Sequence, residues 1–299
     1  MKRKTRSASL VLLLVLSSLS FGQTTSAGNT LDARVKVELS SFKGKVNLFA
    51  KNLDTGEVYA LGADERVRTA STIKIAVMVE AFARVAEGKS KWTDELVLEK
   101  QKKVSGSGIL AELSDGLRIT LRDGVNLMMI LSDNTATNLV LDVLTTDAVN
   151  ARMEALGLKN IKLNRKVGSG GESQAGKDPD NKKFGLGFAT AREMVLLLEK
   201  LERGEVISPE ASKEMIALLK REQGRYAIGR SLWDLPMASK SGALDRLRSS
   251  IGIIYSKKGR IAMAITCDDM PEIQWSVDNP GYILMSRLSS ILVDELARK

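Results

Sequence analysis

A serine and a lysine placed one helical turn apart are suited to nucleophilic catalysis. Ser71 and Lys74 stand at the head of an apolar segment that continues through Phe82. At this spacing, both side chains lie on the same face of a helix. A serine hydroxyl attacks a carbonyl once a base takes its proton, and a partly desolvated lysine can be that base. The helix N-terminus adds N–H groups that stabilise developing negative charge. Alone, however, S-x-x-K more commonly marks a helix cap with a surface lysine.

A second motif supplies a further hydroxyl and an amide. The tripeptide Ser132-Asp133-Asn134 falls between two segments with helical periodicity, where side chains can point into a cleft. Ser132 can relay a proton to a leaving group, and Asn134 can hydrogen-bond a substrate amide. By itself, the tripeptide is more often a simple N-cap cluster.

A third motif supplies a second ammonium group. The tripeptide Lys240-Ser241-Gly242 lies shortly before a predicted hairpin. Lys240 can hold the anionic end of a substrate and provide a positive field, while Gly242 lets a ligand backbone approach a strand edge closely. By itself, this tripeptide is more often a turn.

Composition excludes several other chemistries. The chain has no histidine, which rules out a Ser-His-Asp triad and the usual histidine-bearing zinc sites. The general base must then be Lys, Asp, Glu or Tyr, and we expect neither a metal nor a cofactor. The formal charge of +9 is carried by basic residues dispersed among acidic ones, without a basic stripe. Nucleic-acid binding is therefore not expected.

The ends of the chain indicate export. Residues 1–6 are basic and precede a short apolar run, as in a signal peptide, for which we predict the bounds 1–27. Cleavage after Gly22 or after Ala27 fits equally well. The single cysteine, Cys267, excludes an intrachain disulfide, stands far from any lipoprotein position, and lies in an apolar run typical of a core residue. We expect a secreted periplasmic or extracellular monomer without a stable membrane anchor.

Hydrophobic periodicity places strands at both ends of the chain and helices between them. A helix at 31–39 and a hairpin at 45–61 come first, and a hairpin at 251–266 and an amphipathic helix at 282–298 come last. The middle contains capped helices, and a glycine-rich loop spans 165–189. This order predicts an α/β (α+β) fold with a discontinuous domain, 28–66 plus 225–299, into which a helical domain, 67–224, is inserted. A cleft is expected at their junction.

Together, the three motifs resemble those of the penicillin-recognising serine hydrolases, and class A β-lactamases in particular. The stretches 132–139 and 156–165 look specifically like class A. The resemblance covers nearly all of the chain after the signal peptide. It implies a β-lactamase/transpeptidase-like fold with an antiparallel sheet flanked by helices. It also implies that Ser71 is acylated, that Lys74 is its base or relay, and that the N–H groups of Ser71 and Ala243 form the oxyanion hole. Arg248 would assist Lys240 and Ser241 in binding a substrate carboxylate.

One class A motif is missing. In that class, the loop after the arginine that Arg165 resembles carries a glutamate, in E-x-x-L-N, which activates the deacylating water. Here the loop runs Lys166-Val167-Gly168-Ser169-Gly170-Gly171-Glu172. Glu172 is the nearby carboxylate, but its neighbours do not match, which favours a solvated loop acid over a base. Loss of one general base typically slows a step by about 10² to 10⁴-fold.

Three functions remain open at this point. The first is hydrolysis of β-lactam amides through a Ser71 acyl-enzyme. The second is a DD-peptidase, an esterase or a slowly deacylating penicillin-binding protein that acts on acyl-peptide or other acyl substrates. The third is a binding or sensor module that is acylated without turnover. Each has a small acyl compound as its partner.

Overall fold

A computed structural model describes residues 30–297 of the chain. The predicted signal peptide lies outside these residues. The helices are α1 Leu31–Leu39, α2 Lys74–Ala86, α3 Leu121–Ile130, α4 Asn134–Leu144, α5 Thr146–Ala155, α6 Gln174–Lys177, α7 Ala191–Glu202, α8 Pro209–Leu219 and α9 Pro280–Leu296. The strands are β1 Lys45–Asn52, β2 Val58–Leu61, β3 Val67–Arg68, β4 Glu95–Val97, β5 Arg118–Thr120, β6 Lys162–Leu163, β7 Gly187–Ala189, β8 Met237–Leu244, β9 Leu247–Ser256 and β10 Gly259–Asp268.

The main sheet is antiparallel and has five strands in the order β2-β1-β10-β9-β8. Strands β9 and β10 are buried along most of their length, because helices cover both faces of the sheet. On one face, Ile251 and Ala262 pack with α2, α7 and the other central helices. On the opposite face, Ile254 and Met263 pack with α1 and α9. The two apolar runs that predicted the second hairpin are continuous for this reason.

The strands of this sheet come from both ends of the chain, and the predicted mixed fold with an antiparallel sheet and flanking helices is confirmed. Strand β1 pairs with β10, so that Lys45 lies opposite Asp268. Most of the intervening chain forms helices. The division into domains at residues 67 and 224 stays a prediction. Within residues 30–297, no helix is both long enough and apolar enough to cross a membrane.

Local capping explains where several helices begin. Thr120 accepts a hydrogen bond from the backbone N–H of Asp123, whose side chain accepts one in return from the Thr120 N–H, forming a capping box at the start of α3. Ser208 caps α8, with Pro209 in its first turn. Thr190 caps α7, but the carboxylate of Glu193 bonds to Asn160 instead of completing a box.

Cys267 is a buried core residue of β10, as its apolar surroundings predicted. Burial raises the pKa of its thiol well above the ordinary value. The thiol is therefore protonated and enclosed, and it plays no part in the site described below.

Candidate active site

Ser71 lies in a tight turn that immediately precedes the N-terminus of α2. Residues Ala70–Ile73 form a 3₁₀ turn, and α2 begins at Lys74. The sequence predicted Ser71 within the helix head, whereas the structure places it just before the helix. Ala70 has a φ of 48°, a left-handed conformation that is unfavourable for a residue with a side chain. Surrounding contacts hold this turn in place, with Thr72 Oγ1 donating to Thr69 O at 2.8 Å. Ser71 remains partly exposed.

The ammonium group of Lys74 is enclosed by the second motif. Lys74 is fully buried, and its Nζ donates to Ser132 O at 2.6 Å, to Ser132 Oγ at 3.3 Å and to Asn134 Oδ1 at 3.0 Å. Desolvation holds the pKa of Lys74 well below its ordinary value of 10.5, and the positive charge of Lys240 lowers it further against the opposing effect of Asp133. A lysine in this environment can release its proton and accept one from a hydroxyl.

The turn between α3 and α4 presents Ser132 and Asn134 to Lys74. Ser132 has a φ of 56°, a second left-handed residue beside the site. Asp133 caps α4 by accepting from Ala136 N at 2.8 Å, and its other oxygen accepts from the N–H groups of Ile109 and Leu110 at 2.6 and 2.9 Å. The middle residue of the motif therefore builds the turn and leaves its neighbours free to face Lys74.

A second glycine-rich loop, residues 105–108, lies against one side of the turn between α3 and α4. Gly108 has a φ of 108°, and a Cβ at this position would lie only 2.2 Å from the Asp133 carboxylate. Asn134 donates from Nδ2 to Ser105 O at 3.0 Å and from its backbone N to Ser107 O at 2.9 Å. Because Asn134 Oδ1 faces Lys74, the amide group links this loop to the lysine.

The third motif lies on an edge strand that packs directly against the turn Ala70–Ile73. Lys240, Ser241 and Gly242 belong to β8, a strand that the sequence did not reveal. The Ser241 N–H and C=O point away from β9, since they bond to Glu222 and to Lys240 Nζ instead. In a strand, the N–H two residues further on faces the same way, so the Ala243 N–H also points outward from the edge of the sheet. A Cβ on Gly242 would lie 2.8 Å from the Ser71 backbone N.

Lys240 is fully buried and paired with a carboxylate that sequence reasoning missed. Its Nζ donates to Glu222 Oε1 at 3.1 Å, and the two side chains are almost wholly excluded from solvent. Glu222 follows α8 and belongs to no motif. Nothing in its local sequence distinguishes it from the other acidic residues of the chain, because its significance depends on contacts with a distant strand.

Arg248 occupies β9, where it is buried between aromatic rings. Its guanidinium lies 4.9 Å from the Trp275 ring centre and 5.1 Å from that of Tyr282. It donates to the carbonyl oxygens of Leu244, Leu247 and Gln274. These contacts account for most of its donors, and its role in binding a substrate carboxylate stays a prediction.

The loop predicted at residues 165–189 is more ordered than its composition suggested. It contains α6 and β7, and Asn138 of α4 holds its first part by donating from Nδ2 to Val167 O at 3.0 Å and accepting from Val167 N at 2.9 Å. Lys166 forms an ion pair with Asp142. Glu172 is exposed, and among residues 30–297 it forms no hydrogen bond or ion pair. Its role as a deacylation base stays a prediction that this placement does not favour.

The three motifs therefore converge: Ser71 meets Gly242, and Lys74 meets Ser132 and Asn134 while experiencing the charge of Lys240. Within the described part of the chain, no cluster of three cysteine, aspartate or glutamate side chains is arranged to hold a metal ion. The arrangement brings together a serine hydroxyl, a lysine whose pKa is lowered, a second hydroxyl and edge-strand N–H groups. This is the equipment of a serine acyl hydrolase.

Comparison with known proteins agrees with this chemistry. The fold and site define a penicillin-recognising serine hydrolase, and a sequence model of the Beta-lactamase enzyme family matches residues 30–296. The chain belongs to that family and is a serine β-lactamase-like hydrolase. It is similar to β-lactamase CARB-4 of Pseudomonas aeruginosa, with 23% identity over 83% of this chain and 84% of the relative.

Solved structures with the same fold include a β-lactamase from Sphaerobacter thermophilus. It shares 29% identity, has a TM-score of 0.77, and the match covers 89% of this chain and 96% of that one. PBP-A has a TM-score of 0.76 at 23% identity, with 88% and 94% of the two chains covered. These likenesses confirm the predicted fold class.

Proposed function

We propose that the protein hydrolyses β-lactam amides through an acyl-enzyme on Ser71. The observation that carries the proposal is that Lys74 Nζ lies 3.3 Å from Ser132 Oγ while the edge strand β8 packs against the turn that holds Ser71. Lys74, whose pKa is lowered, takes the proton of the Ser71 hydroxyl as Oγ bonds to the carbonyl carbon. The N–H groups of Ser71 and Ala243 stabilise the resulting oxyanion.

Ser132 completes the first half of the reaction. When the C–N bond of the ring breaks, the leaving nitrogen takes a proton from the Ser132 hydroxyl, which regains one from Lys74. In the second half, water adds to the Ser71 ester, the acid departs and the serine hydroxyl is restored. Asn134, Lys240, Ser241 and Gly242 bind the substrate around these reacting groups.

Intact-mass spectrometry after mixing with benzylpenicillin tests the proposal. Because the leaving group of a β-lactam stays attached through the opened ring, acylation adds the mass of a whole penicillin. We expect this adduct on the wild-type protein and none on Ser71→Ala, which should fold, because the partly exposed Ser71 side chain caps no helix and forms no hydrogen bond within residues 30–297. An adduct that persists on Ser71→Ala would contradict the role of Ser71.

A second candidate is a DD-peptidase, an esterase or a penicillin-binding protein that deacylates slowly. The exposure of Glu172, and the absence of any other acid among residues 166–176, favour it. Steady-state turnover of nitrocefin supports the β-lactamase, and a stoichiometric burst that then stalls supports the second candidate. Stable labelling without hydrolysis of any ester would instead indicate a sensor.

We also propose that the protein is exported as a monomer. The basic and apolar character of residues 1–16 supports export. N-terminal sequencing of the protein recovered from the periplasm or medium should begin at residue 23 or 28. Recovery of the uncleaved chain in the cytoplasm would contradict export, and light scattering measures the oligomeric state.

A further inference from the structure

The carboxylate of Glu222 is bound by donors from three consecutive residues of β8. Glu222 Oε1 accepts from Lys240 Nζ at 3.1 Å, from Ser241 N at 2.8 Å and from Ser241 Oγ at 2.5 Å. Glu222 Oε2 accepts from Ser239 Oγ at 2.9 Å. The carboxylate is therefore satisfied by an ammonium group, two hydroxyls and an edge-strand N–H.

These are the donors that a substrate carboxylate would use. An ammonium group, a hydroxyl and a free strand N–H together form a strong, directional carboxylate site. Lys240 and Ser241 are the residues proposed above to bind the anionic end of a substrate. In this structure, both already bind a carboxylate of the chain itself, and both donors of Ser241 point to it.

The segment that carries Glu222 is held in this position on both sides. Gln223 N donates to Ile130 O at 3.1 Å, which ties the segment to the end of α3. At Gly224, a Cβ would lie 2.4 Å from Ser241 Oγ and 2.9 Å from Glu222 Oε1. A glycine at position 224 therefore allows close contact between this segment and β8. The side chain of Glu222 is 2% exposed, so it is enclosed in the site and does not rest on its surface.

We propose that Glu222 is a specificity-determining residue whose carboxylate fills the anion position at Lys240 and Ser241. The preferred acyl substrates are then those that have an uncharged group, such as an ester or an amide, where other substrates have a carboxylate facing Lys240 and Ser241. A substrate with a carboxylate there meets a fixed like charge and must displace Glu222 from its donors. The inference rests on the proposed acyl-transfer function and names its substrate class.

Acylation by a matched pair of compounds tests the proposal. The pair is benzylpenicillin and its methyl ester, which differ in the carboxylate alone. Time-resolved intact-mass spectrometry gives the second-order acylation constant for each. On the wild-type protein, we expect the ester to react faster than the acid. A wild-type protein that reacts faster with the acid would overturn the proposal.

The variant Glu222→Gln removes the negative charge and keeps the shape of the side chain. We expect the ratio of acid to ester acylation constants to rise at least about 10-fold, since one repulsive contact is lost. The matched control Glu57→Gln removes an exposed carboxylate from the turn between β1 and β2, and should leave the ratio as it is in the wild type. A ratio that stays within about twofold in Glu222→Gln overturns the proposal.

A second variant covers the case in which Glu222→Gln does not fold, since Lys240 then lacks its buried partner. Glu222→Asp keeps the negative charge but moves it away from the donors of β8 by the length of one methylene group. Because the anion position is then less well filled, the ratio of acid to ester acylation constants should be higher than in the wild type. Folding of each variant is measured by circular dichroism. If neither compound labels wild-type Ser71, the proposed function fails, and this inference with it. If both label but the ratios do not respond to Glu222, this inference alone fails.

Discussion

Gly242 packs against the backbone nitrogen of Ser71, so that a Cβ at position 242 would lie 2.8 Å from that nitrogen. The same Cβ would lie 3.0 Å from both Ala70 Cβ and Thr69 O. These neighbours are backbone or rigid atoms that cannot turn aside. The turn Ala70–Ile73 can thus approach β8 this closely only because glycine has no side chain at position 242.

Gly242→Ala should therefore displace the nucleophile without unfolding the protein. A displacement near 1 Å at reacting groups typically costs about 10²-fold in rate, and we expect acylation by the penicillin ester to fall by that order. The matched control is Gly124→Ala, where a Cβ would meet Leu96 Cδ1 at 2.7 Å near the start of α3, whose other end precedes Ser132. It should cost about 1–3 kcal/mol of stability and leave the acylation constant of the folded protein intact. Equal acylation constants for Gly242→Ala and the wild type would contradict the close packing.

Ser132 combines the hydroxyl proposed to relay the proton with an unfavourable backbone conformation, and two variants separate these properties. Ser132→Ala and Ser132→Gly both lose the hydroxyl that lies 3.3 Å from Lys74 Nζ, and both should lower acylation by about 10² to 10⁴-fold. Glycine alone accepts the φ of 56° without strain, so Ser132→Gly should be more stable than Ser132→Ala by about 1 kcal/mol. Chemical denaturation measures the difference, and a more stable Ser132→Ala would argue against strain here.

The buried amine of Lys74 predicts the pH dependence of acylation. Its pKa is lowered because burial disfavours the cation, so the neutral, basic form is populated at a pH below 10.5. The acylation constant should rise as pH increases through this lowered pKa and then level off. Lys74→Arg keeps a permanent positive charge and should lose both the rise and about 10² to 10⁴-fold in rate. The control Lys91→Arg, at an exposed position, should retain the profile. A wild-type profile without this rise would exclude Lys74 as the base.

Deacylation should be insensitive to Glu172. The side chain is exposed and forms no hydrogen bond or ion pair within residues 30–297, so Glu172→Gln removes nothing that positions a water molecule. The lifetime of the benzylpenicillin adduct, followed by intact mass after excess ligand is removed, should match that of the wild type. An adduct that lasts 10² times longer or more, on the order expected for a lost general base, would show that Glu172 acts in hydrolysis.

A carboxylate at position 167 should shorten the lifetime of the adduct. The Asn138 side chain holds the backbone of Val167 against α4 through two hydrogen bonds, so a side chain at position 167 has a fixed point of attachment. Val167→Glu introduces a base there, and we expect deacylation to quicken by at least about 10-fold. Val167→Gln, which has the same size and no basic group, is the control. Equal lifetimes for the two variants would place position 167 too far from the ester.

Much of the fold was predictable because local patterns and tertiary structure agree. The hairpin formed by β9 and β10 follows from two apolar runs around Lys257-Lys258-Gly259, and α3 follows from its capping box. Strand β8 escaped prediction because Met237–Leu244 is an edge strand with polar side chains that bind Glu222, so it lacks a clean strand pattern.

The candidate site likewise contains some residues that the sequence could predict and others that it could not. Ser71, Ser132 and Lys240 could be proposed from the sequence, since each belongs to a short motif whose residues are close together in the chain. Glu222 could not, because its carboxylate gains significance only from its contacts with Ser239, Lys240 and Ser241, which lie 17 to 19 residues further along the chain. The turn at Ala70 was also hidden, since a left-handed alanine is imposed by surrounding contacts and not by its own preference.

The pairing of β1 with β10 constrains when this protein can fold. Lys45 and Asp268 are neighbours in space but stand at opposite ends of the described chain, so closing this pair carries the entropy cost of a very long loop. A topology with such high contact order folds slowly. The central sheet cannot be completed until synthesis has passed residue 268, and a chain still emerging from the ribosome lacks its last strand. On the export route proposed above, this delay would keep the polypeptide in the unfolded form that a translocation channel accepts.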